Sequence, residues 1–241
     1  ISFLERDVEG LNELMAELKS QDVSEENRSW VVFLQGMVAP SAAESEVLHS
    51  QALKMAITLE RRADFRLLRY RNEIIETGGS EVLAANLKRQ MEEFRGRPAG
   101  QEFAVQYVMV LNSLGKKAEA LEELRHQLEL AGNEKGIWRD RLLLLYGVLS
   151  SPEDDTGRAV LESLVETGTN HEWMGMGLRL LTSRFEVNKK ITLFLDNILK
   201  LPNHKLSETI LVMRLKLALE LKQNAVAERC ALRIMEAFPG S

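Results

Sequence analysis

Two stretches of this chain repeat one another at a distance of 35 residues: Trp138-x2-Arg141-Leu142-x2-Leu145 and Trp173-x2-Met176-Gly177-x2-Leu180. The same phase falls on Ala104, 34 residues before Trp138, and on Leu211, 38 residues after Trp173. Trp30 opens another copy, Trp30-x2-Phe33-Leu34-x2-Met37, and the 74 residues from Trp30 to Ala104 leave room for two more. A recurring segment of this length accommodates one helix–turn–helix, which cannot bury its apolar face alone. Neighbouring copies must cover it, so the chain is expected to be a stack of such hairpins.

The local pattern agrees. Leu4, Val8, Leu11, Met15 and Leu18 recur at three or four residues, as do Ala118, Leu121, Leu124 and Leu128, and Leu211, Leu215, Ala218 and Leu221. Each set makes one stripe on a helix. Trp30–Leu34 and Ile191–Leu195 have strand-like content, but their surroundings have helix length, and they read as helices. Breakers fall between the stripes: Pro40, Pro98, Pro152, Pro202 and Pro239, with Gly78-Gly79, Gly96 to Gly100 and Gly132 to Gly136. Ser151-Pro152-Glu153 reads as an N-cap followed by a first-turn proline. The pattern predicts about thirteen helices and no strand hairpin.

These residues resemble the tetratricopeptide-repeat family. Segment 101–134 carries Tyr107-Val108, Leu111, Leu114-Gly115, Ala120 and Leu124 at the family's places. Segment 208–241 carries Leu215, Ala218, Leu221, Ala227, Ala231, Ile234 and Pro239, and 170–203 has the Trp173 start and ends at Pro202. Segment 135–169 departs by extra residues in the Ser150–Gly157 turn, and 62–98 keeps only Pro98 and Ala84-Ala85. The resemblance implies an all-α fold, a right-handed α-α superhelix (solenoid) of about six TPR-like hairpins. It implies one domain over 1–241, divergent in 1–100 and clearer in 101–241, with a concave inner face.

That face is the family's usual binding surface. The resemblance places Glu102, Val105, Met109 and Asn112 inward in the first segment. It places His171, Met174, Leu178 and Leu181 inward in the Trp173 segment, and Thr209, Val212, Lys216 and Leu219 in the last. Val105 and Met109 do not form the Lys/Asn clamp that some family members use for a terminal carboxylate. A surface this apolar suits an amphipathic helix or an extended apolar peptide. The expected function is a non-enzymatic protein-interaction scaffold. The expected partner is a protein or peptide, with another part of a longer chain included. Self-association is a further expectation, because the first helix, 1–20, lacks a hairpin partner and the last repeat ends openly.

The alternative is an RNA or anion site on Arg61-Arg62-Ala63-Asp64-Phe65-Arg66-Leu67-Leu68-Arg69-Tyr70-Arg71. On a helix Arg62, Arg66 and Arg69 share one face, opposite Leu67, Leu68, Ile74 and Ile75, and interleaved aromatics suit stacked bases. The net charge of −5 works against a general nucleic-acid binder.

Catalytic and cofactor signals are missing from the sequence. His49, His126, His171 and His204 are isolated, and His171-Glu172 has no second histidine four residues on. The single cysteine, Cys230, lies in a small-residue stripe with no local activator, and it rules out an intramolecular disulfide framework. Gly175-Met176-Gly177 lacks the third glycine of a dinucleotide loop. Gly115-Lys116-Lys117 lacks the upstream glycine and the Ser/Thr of a phosphate loop. Glu153-Asp154-Asp155 lacks the alternation of a calcium loop. No cofactor and no metal are expected. No apolar run is long enough to span a bilayer, so a soluble chain is expected. The start at Ile1 has neither an initiator Met nor a signal-peptide pattern, and the expectation is a piece of a longer product.

Overall fold

The computed structural model describes residues 24–132, 135–183, 189–201 and 203–239, with Gly10, Glu13 and 15–18 before them. Among these residues the chain is helical throughout, with twelve helices following residue 24 and no strand. None of the helices is long and apolar enough to cross a membrane. Leu4, Val8 and Leu11 of the first stripe, and Pro202, lie outside the described residues. The chain divides into two compact units, Ile1–Leu114 and Gly115–Ser241.

The first unit holds α1 (Glu25–Met37), α2 (Ala42–Met55), α3 (Leu59–Thr77), α4 (Glu81–Glu93) and α5 (Pro98–Ser113). Their starts are written locally. Ser24, Ser41, Thr58 and Ser80 each accept the N–H three residues on, at 3.3, 3.2, 3.2 and 3.1 Å, and so satisfy an N–H that a helix end leaves free. Pro98 opens α5, where its missing N–H costs nothing. α3 stops at Gly78, whose φ of 75° is left-handed and suits glycine. α1 pairs with α2, α4 with α5, and α3 lies against α5. Phe33 of α1 stacks on Phe65 of α3 with ring centres 4.4 Å apart, and Trp30 meets Phe65 edge-on at 4.9 Å. Ala63, Leu83, Leu87, Phe103 and Val110 close a second core between α3, α4 and α5. Met15 packs with Val31 of α1. Ile75, expected on the apolar side of α3, is exposed.

The second unit holds α6 (Lys117–Ala131), α7 (Ile137–Leu149), α8 (Asp155–Thr167), α9 (His171–Ser183), α10 (Lys189–Ile198), α11 (Ser207–Glu220) and α12 (Asn224–Ala237). α6 packs on α7, α7 on α8, α8 on α9, α10 on α11 and α11 on α12, and α7 also lies beside α9. One apolar cluster runs from α7 to α11, with Leu161, Leu164, Val165, Leu178, Ile191, Leu195 and Ile210 at its centre. Gly147 lets α8 come close to α7: a Cβ there would stand 2.3 Å from Leu161. The start of α8 differs from expectation. The cap is Asp154, which accepts the N–H of Thr156 at 2.9 Å, and Pro152 sits in the turn before it. A carboxylate at the N-terminus satisfies a free N–H and the helix dipole together, and this favours Asp154 over Ser151.

Candidate functional site

The odd-numbered helices of the second unit carry an exposed face in a repeating register. On α7, Leu142, Tyr146 and Gly147 are buried. Ile137, Arg141 and Val148 lie on the other side of that helix, with Ile137 and Val148 exposed and Arg141 half-buried. Moving 35 residues along the chain gives Glu172, Met176 and Ser183 on α9, all exposed. Moving a further 36 gives Glu208, Val212 and Leu219 on α11, where Val212 is half-buried and the other two are exposed. α7 and α9 are side by side, and α8 covers both from behind. Thr182 of α9 meets the Met213 sulfur of α11 at 3.8 Å. The face offers Ile137, Val148, Met176 and Leu219 as apolar contacts among charged neighbours.

Two interactions hold these helices to their neighbours. Asp140, 1% exposed near the start of α7, accepts the N–H and the hydroxyl of Thr169 at 2.6 and 2.8 Å and the N–H of Asn170 at 2.8 Å. Asn170 in turn accepts the N–H of Trp173 at 3.0 Å. One carboxylate therefore ties the first turn of α7 to the start of α9. Arg214 of α11, 4% exposed, grips both carboxylate oxygens of Asp196 at 2.8 and 3.3 Å and donates to Gln223 at 3.2 Å. A bidentate pair of this kind holds angle as well as distance.

The same device occurs in the first unit. Glu26, in the first turn of α1, accepts the N–H of Ile57 at 2.6 Å and the hydroxyl of Thr58 at 2.8 Å, at the start of α3. These two bonds hold the Glu26 carboxyl below its ordinary value, against the opposing effect of burial, with Arg61 assisting. Glu60, in the first turn of α3, takes Arg97 at 2.7 Å, the residue that precedes α5. Acids in the first turn of odd helices were not singled out in the sequence. Their signal is visible afterwards: a carboxylate at the positive end of one helix, about 30 residues before the next such end.

Several expected site residues are placed elsewhere. Val105, Met174, Leu178 and Leu181 are at most 2% exposed and belong to the core, so they present nothing to a partner. On α9 the reason is geometric. Met174, Leu178 and Leu181 form the stripe that faces α8, where Gly177 lies 3.0 Å, measured from its would-be Cβ, from Leu164. Glu102 is half-buried on α5, while Met109 and Asn112 are exposed one turn apart on that helix. Val212, Lys216 and Leu219 lie along one side of α11, with Lys216 and Leu219 exposed.

The arginine face is also corrected. Arg62 donates to the Ala56 carbonyl at 2.9 Å, and Arg66 donates to Gln90 at 2.6 Å and to Glu93 at 3.3 Å. Arg69 pairs with Glu46, and Arg61 reaches Glu26 while lying 4.9 Å over Trp30. Arg61, Arg66 and Arg69 are struts from α3 to carboxylates of its neighbours, and Arg62 spends a donor on a backbone carbonyl. The described residues hold no cluster of three or more potential metal ligands. No protein-family model, no curated protein and no solved structure matches this chain.

Proposed function

We propose that this chain is a non-enzymatic helical-repeat scaffold that binds a protein segment across the exposed face of α7, α9 and α11. The segment is an amphipathic helix or an extended apolar peptide. The observation that carries the reading is that the outward faces of α7, α9 and α11 each leave a large apolar side chain exposed: Ile137 and Val148 on α7, Met176 on α9 and Leu219 on α11. A large apolar side chain left in water supplies contact area when a partner covers it. Met176 adapts its shape to varied partners.

In this reading the hairpins form a TPR-like right-handed superhelix of about six repeats. Odd helices starting at Glu25, Leu59, Pro98, Ile137, His171 and Ser207 support the repeat. So does the side-by-side packing of α3 with α5 and of α7 with α9.

The test is capture of partners from the source cells by the wild-type chain and by the double variant Met176→Glu, Leu219→Glu. Both positions are exposed, so the variant should keep its helical spectrum and melting temperature. The expected result is loss of the captured proteins. Equal capture by a folded variant removes the reading.

A further inference from the structure

His49 is the most completely enclosed titratable ring of the first unit, and its surroundings answer only its neutral form. The residue lies in the middle of α2 and is 5% exposed. Its Nδ1 stands 3.5 Å from the Ser45 hydroxyl, and its Nε2 is sealed from solvent with no hydrogen-bond partner. That nitrogen and the adjacent carbon point at Gly36 of α1, where even a Cβ would approach them to 2.9 and 2.7 Å. The ring leans on Phe33 at 4.9 Å, and Phe33 is stacked on Phe65 of α3. Histidine thus stands in a chain of rings that joins α2 through α1 to α3.

A neutral imidazole tolerates this place, because one nitrogen can be a bare acceptor at modest cost. A protonated ring carries N–H on both nitrogens and a full charge, and neither water nor an acceptor reaches Nε2. The charged groups acting on the ring are Arg69 of α3, which disfavours the cation, and Glu46 of its own helix, which favours it. These two are paired with each other, so Glu46 offers little net relief. From α1 the ring meets Phe33 and Gly36. A cation against the Phe33 ring regains about 0.5–2 kcal/mol, less than a buried donor and charge lose.

We propose that His49 is an acid-triggered release point for the α1–α2 hairpin. A second proton on its ring separates α2 from α1 and bares the Phe33 ring. α2 is the moving part: it packs chiefly on α1 and touches α3 little, with the exposed Arg69–Glu46 pair as a tie between them. Burial holds the His49 ring below its ordinary value of 6.5. Below pH 6.5 the opened hairpin binds a proton that the closed one refuses, so closure is fully stable above 6.5 and weakens as the pH falls toward the folded value. The inference concerns the first unit and stands whether or not the α7–α9–α11 face binds a partner.

The test is hydrogen exchange of the whole chain from about pH 7.5 to about pH 5.5, read as protection factors. The expected result is a roughly tenfold loss of protection per pH unit below 6.5 in α1 and α2, with α7 to α9 unchanged. His49→Gln, neutral at every pH, should make the α1–α2 protection flat. Flat protection in the wild type overturns the proposal, as does a loss shared by α7 to α9 or one that persists in the variant. If the variant does not fold, a proton NMR titration of His49 in the wild type decides. A midpoint below 6.5 accompanied by the α1–α2 loss supports release, and a midpoint at or above 6.5 overturns it.

Discussion

At Asp140 one carboxylate does the work of a cap for a helix that starts 31 residues later. It takes two backbone N–H groups and a hydroxyl, all with good distances. Asp140→Ala would leave those N–H groups in a site that is half-closed to water. The expected cost is about 3 kcal/mol, and Asp140→Asn, which keeps an oxygen but not the charge, should cost about 1 kcal/mol. Urea unfolding of the two variants checks the order and the sizes, and equal stabilities would show that water replaces the tie. Arg66 and Arg69 are struts of another kind. Their partners Glu93 and Glu46 are 44% and 57% exposed, so water and salt screen each pair and it adds little stability. An anion would have to displace these carboxylates to reach the two guanidinium groups.

The α7–α8 contact shows how an element depends on one missing methyl. Leu161 of α8 is fully buried against Gly147, and a Cβ at that position would stand 2.3 Å from it. Alanine is the better helix former by about 1 kcal/mol, but overpacking costs about 1–3 kcal/mol. Gly147→Ala is therefore expected to destabilise. Gly175, also inside a helix, has nothing within 4 Å of its would-be Cβ, and Gly175→Ala should stabilise by up to about 1 kcal/mol. Thermal melts of the two variants should move in opposite directions. If both rise, Leu161 has room to shift and the contact is softer than its geometry suggests. α9 shows why its three apolar residues expected on the inner face are in the core instead. The 3–4 spacing of Met174, Leu178 and Leu181 marks a buried stripe correctly. It does not say whether the stripe faces a partner or the chain's own α8.

For the molecule as a whole, a net charge of −5 and an arginine helix already paired predict weak affinity for polyanions. RNA filter binding at about 0.15 M salt is expected to show no retention. Salt-sensitive retention would mean that α3 gives up its acidic neighbours to phosphate. Helices, most of their ends and the small residues at close contacts were legible in the sequence, because periodic burial, capping and turn chemistry act within a turn or two of chain. Gly78-Gly79 marks the end of α3 unaided, and Ala120 and Ala227 are buried as their size suggested. The bonds of Asp140 to Asn170, Glu26 to Ile57 and Arg66 to Gln90 were not legible, since each joins groups 24 to 31 residues apart along the chain. Spacing within one helix names the face that is buried. Only the packed structure names the neighbour that buries it, because many rotations of a hairpin satisfy the same stripe, and long-range bonds such as Asp140 to Thr169 select one.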